Sequence, residues 1–346
     1  MATTTLIGLD IGSTAVRAVE TGRGRSGPSL VRSGAAPLPP GAVRGGVVQD
    51  DKAVTQALRH LWSTAGFRSR KVVLGVTSPQ VVVRDTTVPD LPAAQRRAAL
   101  PLQVRDPLPL PLEESVLDFH PLAEPDADRQ VRGMLIAAPK QTLLTAVHAA
   151  ERAGLHVARV DLAAFALVRG VSWLDGRVEA IVDIGDHITS MIVHEDGVPL
   201  IVRALPRGGA EITAAIAARL GISAADAEDL KRRAGLDAAD PAAAEAVEAA
   251  VTPLAREIHS SFAYLSAGER NVQVGRLVLA GGGAALPGLA RTLGAQLRLD
   301  VRYADPAVRL RGAADRSRRG QDALENLDRF GPAAAIAVGL TLGVTS

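Results

Sequence analysis

Hydrophobic runs alternate with short polar loops along most of the chain. Residues 4–21, TLIGLDIGSTAVRAVETG, have the pattern of a strand, a polar loop that begins after Asp10, and a second strand. Residues 179–197, EAIVDIGDHITSMIVHEDG, repeat this order around Asp183. The repeat predicts two lobes that share one duplicated unit and face each other.

Each half continues with strand and helix patterns in turn. KVVLGVT at 71–77 predicts a strand, and DKAVTQALRHLWSTAG at 51–66 predicts a helix that Gly66 ends. One face of that helix is hydrophobic, and it carries Ala57, Leu58, Leu61, Trp62 and Ala65. The alternation predicts an α/β fold in which helices cover mixed sheets.

An insertion at 80–155 interrupts the repeat and has no counterpart in the second half. Its flanks, VVVRDTTVP and GMLIAAPK, predict strands of a small subdomain. Its middle, LPLQVRDPLPLPLEES, is too rich in proline for a core strand or a long helix, and it predicts an irregular ridge. The ridge carries Leu102, Val104, Leu108, Leu110 and Leu112 beside Arg96, Arg97 and Arg105. These leucines either form a docking surface or pack on the subdomain's own strands.

The second half contains a long helical pattern at 241–268, where Pro253 predicts a kink or a break. Residues 275–297 predict a strand, a triple glycine and a helix with Pro287 near its start. The stretch 305–329 predicts a solvated loop, with an anion contact as the alternative. Its arginines are Arg309, Arg311, Arg316, Arg318, Arg319 and Arg329.

These patterns divide the chain into three parts. Residues 1–79, 156–177 and 331–346 are expected to form the first lobe. Residues 80–155 form the inserted subdomain, and residues 178–330 form the second lobe.

Composition excludes several classes of protein. A net charge of only +2 and 3% aromatic residues argue against a nucleic-acid partner. The absence of cysteine excludes disulfides and thiolate metal sites. The first residues lack the pattern of a signal peptide, and no apolar run reaches the ~18 residues that span a bilayer. We therefore expect a cytoplasmic protein that reaches a membrane only through a partner.

The first polar loop has the chemistry of a phosphate site. Gly12 allows close approach, Ser13 and Thr14 can donate hydrogen bonds, and Arg17 adds positive charge. Asp10 can hold the water shell of a Mg²⁺ ion. One such loop alone is typical of an ordinary hairpin. The second copy, with Asp183, Gly185 and Thr189, predicts that two loops close on one triphosphate.

Two further elements could complete a nucleotide site. Gly281, Gly282 and Gly283 follow a hydrophobic strand and precede a helix, where a nucleoside can lie against the backbone, although a plain tight turn fits as well. Glu228 and Lys231 stand at i and i+3 on one helix, which is also typical of a surface ion pair. Lys231 is one of only four lysines in the chain, and its compact ammonium suits a narrow site.

The ordered set of motifs resembles the actin-like ATPase clan, which includes actin, FtsA, MreB and heat-shock chaperones. Within the clan the chain is most similar to the PilM family of type IV pilus assembly proteins. The likeness spans nearly the whole chain through IGLDIGSTAVRAVE, VDIGDHITSMIVHEDG, LPRGGAEIT, AEDLKRRAG, EIHSSFAYLSA, LVLAGGGAALPGL and AVGLTLG. It implies an actin-like (ribonuclease H-like) two-lobed ATPase fold with an inserted small α+β subdomain.

The resemblance also implies a role for each motif. It places Asp10, Gly12, Ser13 and Thr14 in the first phosphate loop and Asp183, Gly185 and Thr189 in the second, with Mg²⁺ held by the two aspartates through water. It places Gly208 and Gly209 near the terminal phosphate of ATP. Glu228 and Lys231 would lie near ribose and base, and Gly281, Gly282 and Gly283 under the nucleoside.

The sequence departs from the clan's pattern at three places. Arg17 stands where lysine is usual, Ala15 where a hydroxyl is common, and Asp186–Ile188 where small residues are usual. The Asp186 carboxylate would repel phosphate unless Mg²⁺ or Arg17 compensates. No water-orienting residue is evident, since Asp161 is expected to cap a helix. We therefore expect slow ATP hydrolysis or none.

The function that the resemblance implies is an ATP-binding cytoplasmic scaffold of the pilus assembly platform. Its partner would be a PilN-like inner-membrane protein, bound through that protein's N-terminal cytoplasmic tail in a groove beside the insertion. Other platform proteins and the motor ATPase would be linked indirectly. The alternatives are a small-molecule kinase of the same clan and an FtsA-like filament protein, although the uncharged end AAAIAVGLTLGVTS lacks an amphipathic basic face.

Overall fold

Two five-stranded sheets form the centre of the molecule. The computed structural model describes residues 6–24, 27–103, 108, 111–267, 271–310 and 318–343. Elements of the first lobe, in chain order, are β1 (Leu6–Ile11), β2 (Ala15–Gly24), β3 (Gly27–Pro37), β4 (Val43–Arg44), β5 (Val47–Val48), α1 (Asp51–Ala65) and β6 (Lys71–Val76). The insertion follows with β7 (Val82–Pro89), α2 (Ala93–Gln103), β8 (Ser115–Pro121) and β9 (Gln130–Pro139). The chain then returns to the first lobe through α3 (Lys140–Arg152), β10 (His156–Leu162) and α4 (Ala163–Val171).

The second lobe begins with three strands, β11 (Val178–Ile184), β12 (Thr189–Glu195) and β13 (Val198–Leu205). Three helices follow, α5 (Gly209–Leu220), α6 (Ala224–Arg233) and α7 (Pro241–Ala267). The last elements are β14 (Arg276–Ala280), α8 (Leu289–Leu297), β15 (Asp300–Tyr303), α9 (Arg318–Phe330) and α10 (Ala335–Thr341).

The two sheets have the same topology. The strand order is β10-β6-β1-β2-β3 in the first and β15-β14-β11-β12-β13 in the second. In the first sheet β1, β2 and β3 pair antiparallel, and β6 and β10 run parallel to β1. In the second sheet β11, β12 and β13 pair antiparallel, and β14 and β15 run parallel to β11. Asp10 pairs with Gly75, and Asp183 pairs with Ala280, so the two aspartates hold equivalent places. The predicted duplication is confirmed.

Helix α1 forms as its sequence predicts. The Asp50 side chain accepts a hydrogen bond from the backbone N–H of Ala53, and Gly66 ends the helix in a left-handed conformation at φ 67°. Leu58 and Leu61 pack in the core of the first sheet. On the other face of that sheet, a Cβ at Gly8 would lie 2.1 Å from the carbonyl oxygen of Ala337 in α10. Glycine at this position therefore lets the helix lie directly on β1.

The three strands of the insertion pair in the order β7-β9-β8, and α2 packs on β8. Helix α3 packs on α1, and its Ala146, Ala149 and Ala150 lie in the first-lobe core. Helix α3 also links the fourth and fifth strands of its sheet, as α8 does in the second lobe. We therefore propose that the inserted subdomain ends near Pro139.

Four local predictions are wrong. The predicted ridge is helical at its start, since α2 extends to Gln103 with Pro101 inside it. Of the kink or break predicted at Pro253, the break does not occur, because the buried face of α7, including Val251 and Leu254, holds the continuous helix against the second-lobe core. Asp161 caps no helix; it lies in β10 and accepts a hydrogen bond from Arg169.

The fourth concerns the stretch 305–329, which is not one solvated loop. Helix α9 occupies Arg318–Phe330, and Ala323 and Leu327 pack in a core cluster with Val19 and Leu30 of the first lobe. Arg309 donates hydrogen bonds to the carbonyl and hydroxyl oxygens of Ser172. Arg311 and Arg316 lie outside the described residues.

Candidate nucleotide-binding site

The carboxyl ends of β1, β6, β11 and β14 meet at a cleft between the lobes. The cleft encloses a cavity of about 490 Å³. A cavity of this size is in the range of small-molecule and cofactor pockets. Thirteen of the residues predicted from sequence line it: Asp10, Gly12, Ser13, Thr14, Arg17, Asp183, Gly185, Gly209, Glu228, Lys231, Gly281, Gly282 and Gly283.

Two predicted residues do not line the cavity. Thr189 is fully buried, and its hydroxyl donates a hydrogen bond of 2.9 Å to the carbonyl oxygen of Arg207. A Cβ at Gly208 would lie 2.5 Å from the carbonyl oxygen of Gly185, so this position accommodates the backbone of the second loop. Both residues support the wall of the cleft from behind.

The two polar loops have the same local geometry. In the first loop the Gly12 N–H donates to the Ala15 carbonyl at 3.1 Å, and in the second the Gly185 N–H donates to the Ile188 carbonyl at 2.9 Å. Each glycine thus closes a tight turn at the end of its strand. The turns hold their polar residues against the cavity from opposite lobes.

Asp10 and Asp183 form the acidic base of the cleft. The Arg17 guanidinium lies 3.8 Å from the Asp10 carboxylate. Burial raises the pKa of Asp10, and Arg17 partly opposes that rise. Burial and, to a smaller extent, the charge of Asp10 together raise the pKa of Asp183 to about 7, against the lowering effect of Arg17. Two carboxylates that repel each other in this way would be stabilised by a bound cation.

The donor set fits a magnesium ion that keeps most of its water. No group of three or more His, Cys, Asp or Glu side chains within the described ranges could cage a metal ion. Mg²⁺ is commonly held by one or two carboxylates, with water and substrate phosphates completing its shell. Asp10 and Asp183 match that arrangement.

The raised pKa of Asp183 gives a prediction for the protein without ligand. The folded state binds the proton of the Asp183 carboxyl more tightly than the unfolded chain does. The stabilisation that this protonated carboxyl contributes to the folded state is therefore complete below about pH 4 and is lost as pH rises through 7. Asp183→Asn should therefore stabilise the protein at pH 8 by ~2 kcal/mol and have little effect at pH 4. Thermal melting of both proteins at the two pH values measures this; an equal shift at both would contradict the proposed cause.

Lys231 and Glu228 form one wall of the cleft, and the buried Thr213 supports them from behind. The Lys231 ammonium lies 2.6 Å from Glu228 Oε2, 2.8 Å from Thr213 Oγ1 and 3.0 Å from the Gly209 carbonyl oxygen. Burial alone would raise the pKa of Glu228, but hydrogen bonds from Lys231, Thr213 and Arg232 lower it to about 2. The ion pair is therefore built into the cleft rather than lying on an open surface.

The three glycines differ in what surrounds them. Gly281 has φ 81°, and a Cβ there would lie 2.4 Å from the Ile184 carbonyl oxygen; at Gly283 it would lie 2.4 Å from Ile184 Cγ2. A Cβ at Gly282 would meet no atom within 4 Å. Gly281 and Gly283 thus serve packing, whereas Gly282 faces the open cleft.

The end of β6 also lines the cleft, although no motif had been recognised there. Gly75, Val76 and Thr77 line the cavity and come from the strand KVVLGVT. The duplication contained the signal, because β6 corresponds to β14 and Gly75 pairs with Asp10 as Ala280 pairs with Asp183. The other missed lining residues are mainly apolar: Val43, Val48, Ala146, Ile212, Ala285, Leu286, Ala333 and Ile336. Arg232 was missed as well.

Comparison with known proteins shows which family the chain belongs to. The family model of the type IV pilus assembly protein PilM matches residues 8–344. The chain belongs to the PilM family. This membership supports the actin-like fold expected from the motifs and identifies the chain as a type IV pilus assembly protein.

A solved structure extends the likeness to three dimensions. The PilM-PilN type IV pilus biogenesis complex contains a chain that is 29% identical, with a TM-score of 0.84 and 97% of each chain covered. MreB5 of Spiroplasma citri, solved with AMPPNP bound, shares the fold at 14% identity and a TM-score of 0.51, over 95% of this chain and 98% of that one. Cell division protein FtsA of Bacillus subtilis is 24% identical over an alignment of 317 residues, and the match covers 77% of this chain and 71% of FtsA.

Within the part of the PilM-family chain that the structure describes, no helix combines the length and the apolar character needed to cross a membrane.

Proposed function

We propose that this PilM-family protein is an ATP-binding scaffold of the type IV pilus assembly platform, recruited to the inner membrane by the cytoplasmic tail of a PilN-like protein. The observation that carries the nucleotide part is the cleft, in which two equivalent loops and two facing aspartates converge on one cavity. The observation that carries the partner part is the structural likeness to a PilM chain solved with PilN.

Mg-ATP fits the chemistry of the cleft from one end to the other. Ser13 and Thr14 are in place to donate hydrogen bonds to phosphate oxygens, and Arg17 supplies a positive charge beside Asp10. Asp10 and Asp183 would hold Mg²⁺ through water, and the ion would neutralise phosphate charge. Gly282 leaves open space for the nucleoside next to Glu228 and Lys231.

We expect this ATP to be hydrolysed slowly or not at all. Besides Asp10 and Asp183, the acidic side chains that line the described cavity are Asp186 and Glu228. Asp186 lies 3.5 Å from His187 Nε2, and Glu228 is bound by Lys231, Thr213 and Arg232. With Asp10 and Asp183 assigned to Mg²⁺ and Glu228 held in its ion pair, Asp186 is the one acidic side chain lining the described cavity that is left to orient an attacking water, and it lies beside His187. Steady-state phosphate release should stay below about one turnover per second, and a rate of many per second would favour the kinase alternative.

The ridge of the insertion is the proposed docking surface, defined as Leu102, Leu108 and Leu112 together with α2. Leu102 is 90% exposed and Leu112 is 39% exposed. Leu100, which lies just before these ridge residues, packs in the subdomain's own core with Val88 and Phe119. Val104, Leu110 and Arg105 lie outside the described residues. A surface that exposes separate leucines on a preformed support suits an extended peptide.

The insertion is also positioned to sense the nucleotide. Strand β7 packs against β13, the outer strand of the second lobe, and the two strands enclose a small cavity lined by Val83, Val202 and Ala204. The insertion is covalently part of the first lobe. A ligand that moves one lobe relative to the other would therefore move the ridge as well.

A peptide-binding experiment tests the partner proposal. The N-terminal cytoplasmic tail of a PilN-like protein from the same organism is immobilised, and retention of the wild-type protein is compared with retention on a scrambled peptide of the same composition. We expect retention on the native tail alone. Equal retention on both peptides would overturn the proposed docking.

The kinase alternative has less support. A small-molecule kinase needs a polar substrate pocket with a catalytic aspartate between the lobes. Family membership favours a pilus scaffold over both a kinase and an FtsA-like filament protein.

A further inference from the structure

Thr213 on α5 makes three polar contacts behind the wall of the cleft through its hydroxyl. Its side chain is not part of the cavity lining, and the residue is buried. Its hydroxyl lies 2.5 Å from Glu228 Oε2, 2.8 Å from Lys231 Nζ and 3.0 Å from the Gly209 carbonyl oxygen. One hydroxyl therefore contacts both partners of the ion pair and the first residue of α5.

The donors of Lys231 are fully used inside the protein. An ammonium group has three N–H donors, and Lys231 has three acceptors within 3.0 Å: the Gly209 carbonyl, the Thr213 hydroxyl and the Glu228 carboxylate. Lys231 lines the cleft, but its hydrogen bonds point into the wall. Its influence on a ligand must then pass through the groups it holds in place.

Those groups connect the two ends of the cleft. The Gly209 N–H donates to the Gly185 carbonyl at 2.9 Å, and the Ala210 N–H donates to the Asp186 carbonyl at 2.8 Å. The second loop is thus bonded to the start of α5, and α5 is bonded through Thr213 and Lys231 to Glu228 on α6. This continuous set of hydrogen bonds joins the phosphate side of the cleft to the side beside Gly282.

We propose that Thr213 is a positioning residue for nucleotide binding: its hydroxyl fixes the Lys231–Glu228 pair and the start of α5 in the orientation that accepts Mg-ATP. This inference rests on the proposed nucleotide function. The hydroxyl donates to the charged Glu228 and accepts from Lys231, and both are charge-assisted hydrogen bonds. Without it, Lys231 has a free donor and the pair can turn into the cleft.

The test compares Thr213→Val, which keeps the shape of the side chain, with Thr213→Ser, which keeps the hydroxyl. Calorimetry with Mg-ATP should show binding about tenfold weaker for Thr213→Val and near wild-type binding for Thr213→Ser. Thr252→Val is the matched control, because the Thr252 hydroxyl also donates to a helix carbonyl, that of Glu248, but lies on α7 rather than beside the Lys231–Glu228 pair. It should bind as wild type does.

The outcomes separate the two proposals. If wild type binds Mg-ATP and Thr213→Val binds equally well, the positioning role is overturned while the nucleotide site stands. If wild type does not bind, the nucleotide function fails and the inference with it. If Thr213→Ser does not restore binding, the hydroxyl is not the group that positions the pair, and the proposal is overturned. If Thr213→Val and Thr213→Ala both fail to fold, the hydroxyl serves the fold rather than the ligand, and the proposal is again overturned.

Discussion

Gly282→Val is expected to abolish Mg-ATP binding while the melting temperature stays within about 2 °C of wild type. A Cβ at this position meets no protein atom within 4 Å, and the backbone there is not left-handed. The valine side chain therefore extends into the cavity and fills space that a nucleoside needs, without displacing any part of the fold. Calorimetry for binding and thermal melting for stability measure the two effects separately.

Gly275 and Gly281, the glycines that flank β14, serve as controls. Gly275 lies at the opposite end of β14, where a Cβ would lie at an ordinary 3.6 Å from the Val178 carbonyl oxygen, so Gly275→Val should bind nucleotide normally. Gly281→Val should instead destabilise the protein, because of its left-handed backbone and the 2.4 Å approach to Ile184. Tight nucleotide binding by folded Gly282→Val would exclude this end of the cleft as the nucleoside site.

Leu102→Asp is expected to weaken binding of the PilN-like tail by about tenfold or more. Leu102 is 90% exposed on the ridge, so its replacement costs the fold little and removes an apolar contact from the proposed surface. It is a cleaner substitution than Leu108→Asp, because Leu108 is partly buried. Fluorescence anisotropy of a labelled tail peptide would measure the change.

Leu144→Asp is the matched control for the ridge. Leu144 is a 48% exposed leucine on α3, which packs on the first lobe rather than on the ridge. We expect this variant to bind the tail with wild-type affinity. If Leu102→Asp and Leu144→Asp bind equally well, the tail docks elsewhere on the molecule.

The duplicated architecture was predictable because its signals are local. Each Asp-Ile-Gly motif ends a hydrophobic strand, and the same tight turn follows at Gly12 and at Gly185. Strand patterns of this kind fix which residues face the core and where the polar loop begins. The equivalence of Asp10 and Asp183 followed from the sequence, and the sheet registers confirm it.

Features that depend on distant packing were not predictable. Helix α9 contains several charged residues and resembles a solvated loop until Ala323 and Leu327 are seen against β3. Pro253 interrupts helical hydrogen bonding, but the buried face of α7 outweighs that local cost. At Pro253 tertiary burial overrides the local sequence preference. In α9 the local signal was present, because Ala323 and Leu327 lie on one apolar face of a helical pattern, but it was overlooked among the charged residues.

The ion pair in the wall of the cleft was predictable from the sequence only in part. The spacing of Glu228 and Lys231 predicted an ion pair on one helix face, which is what forms. Thr213 lies on a different helix, and no pattern within the segment AEDLKRRAG indicates that its hydroxyl completes the cluster. Only the packing of α5 against α6 brings the three side chains together.

The most direct test of Mg-ATP binding in the cleft is a calorimetric titration of the wild-type protein with ATP, in the presence and absence of Mg²⁺. The account predicts one nucleotide bound per chain, with weaker binding when Mg²⁺ is removed, because Asp10 and Asp183 then face the phosphates without a cation between them. Folded wild-type protein that shows no binding at millimolar Mg-ATP would contradict the central claim.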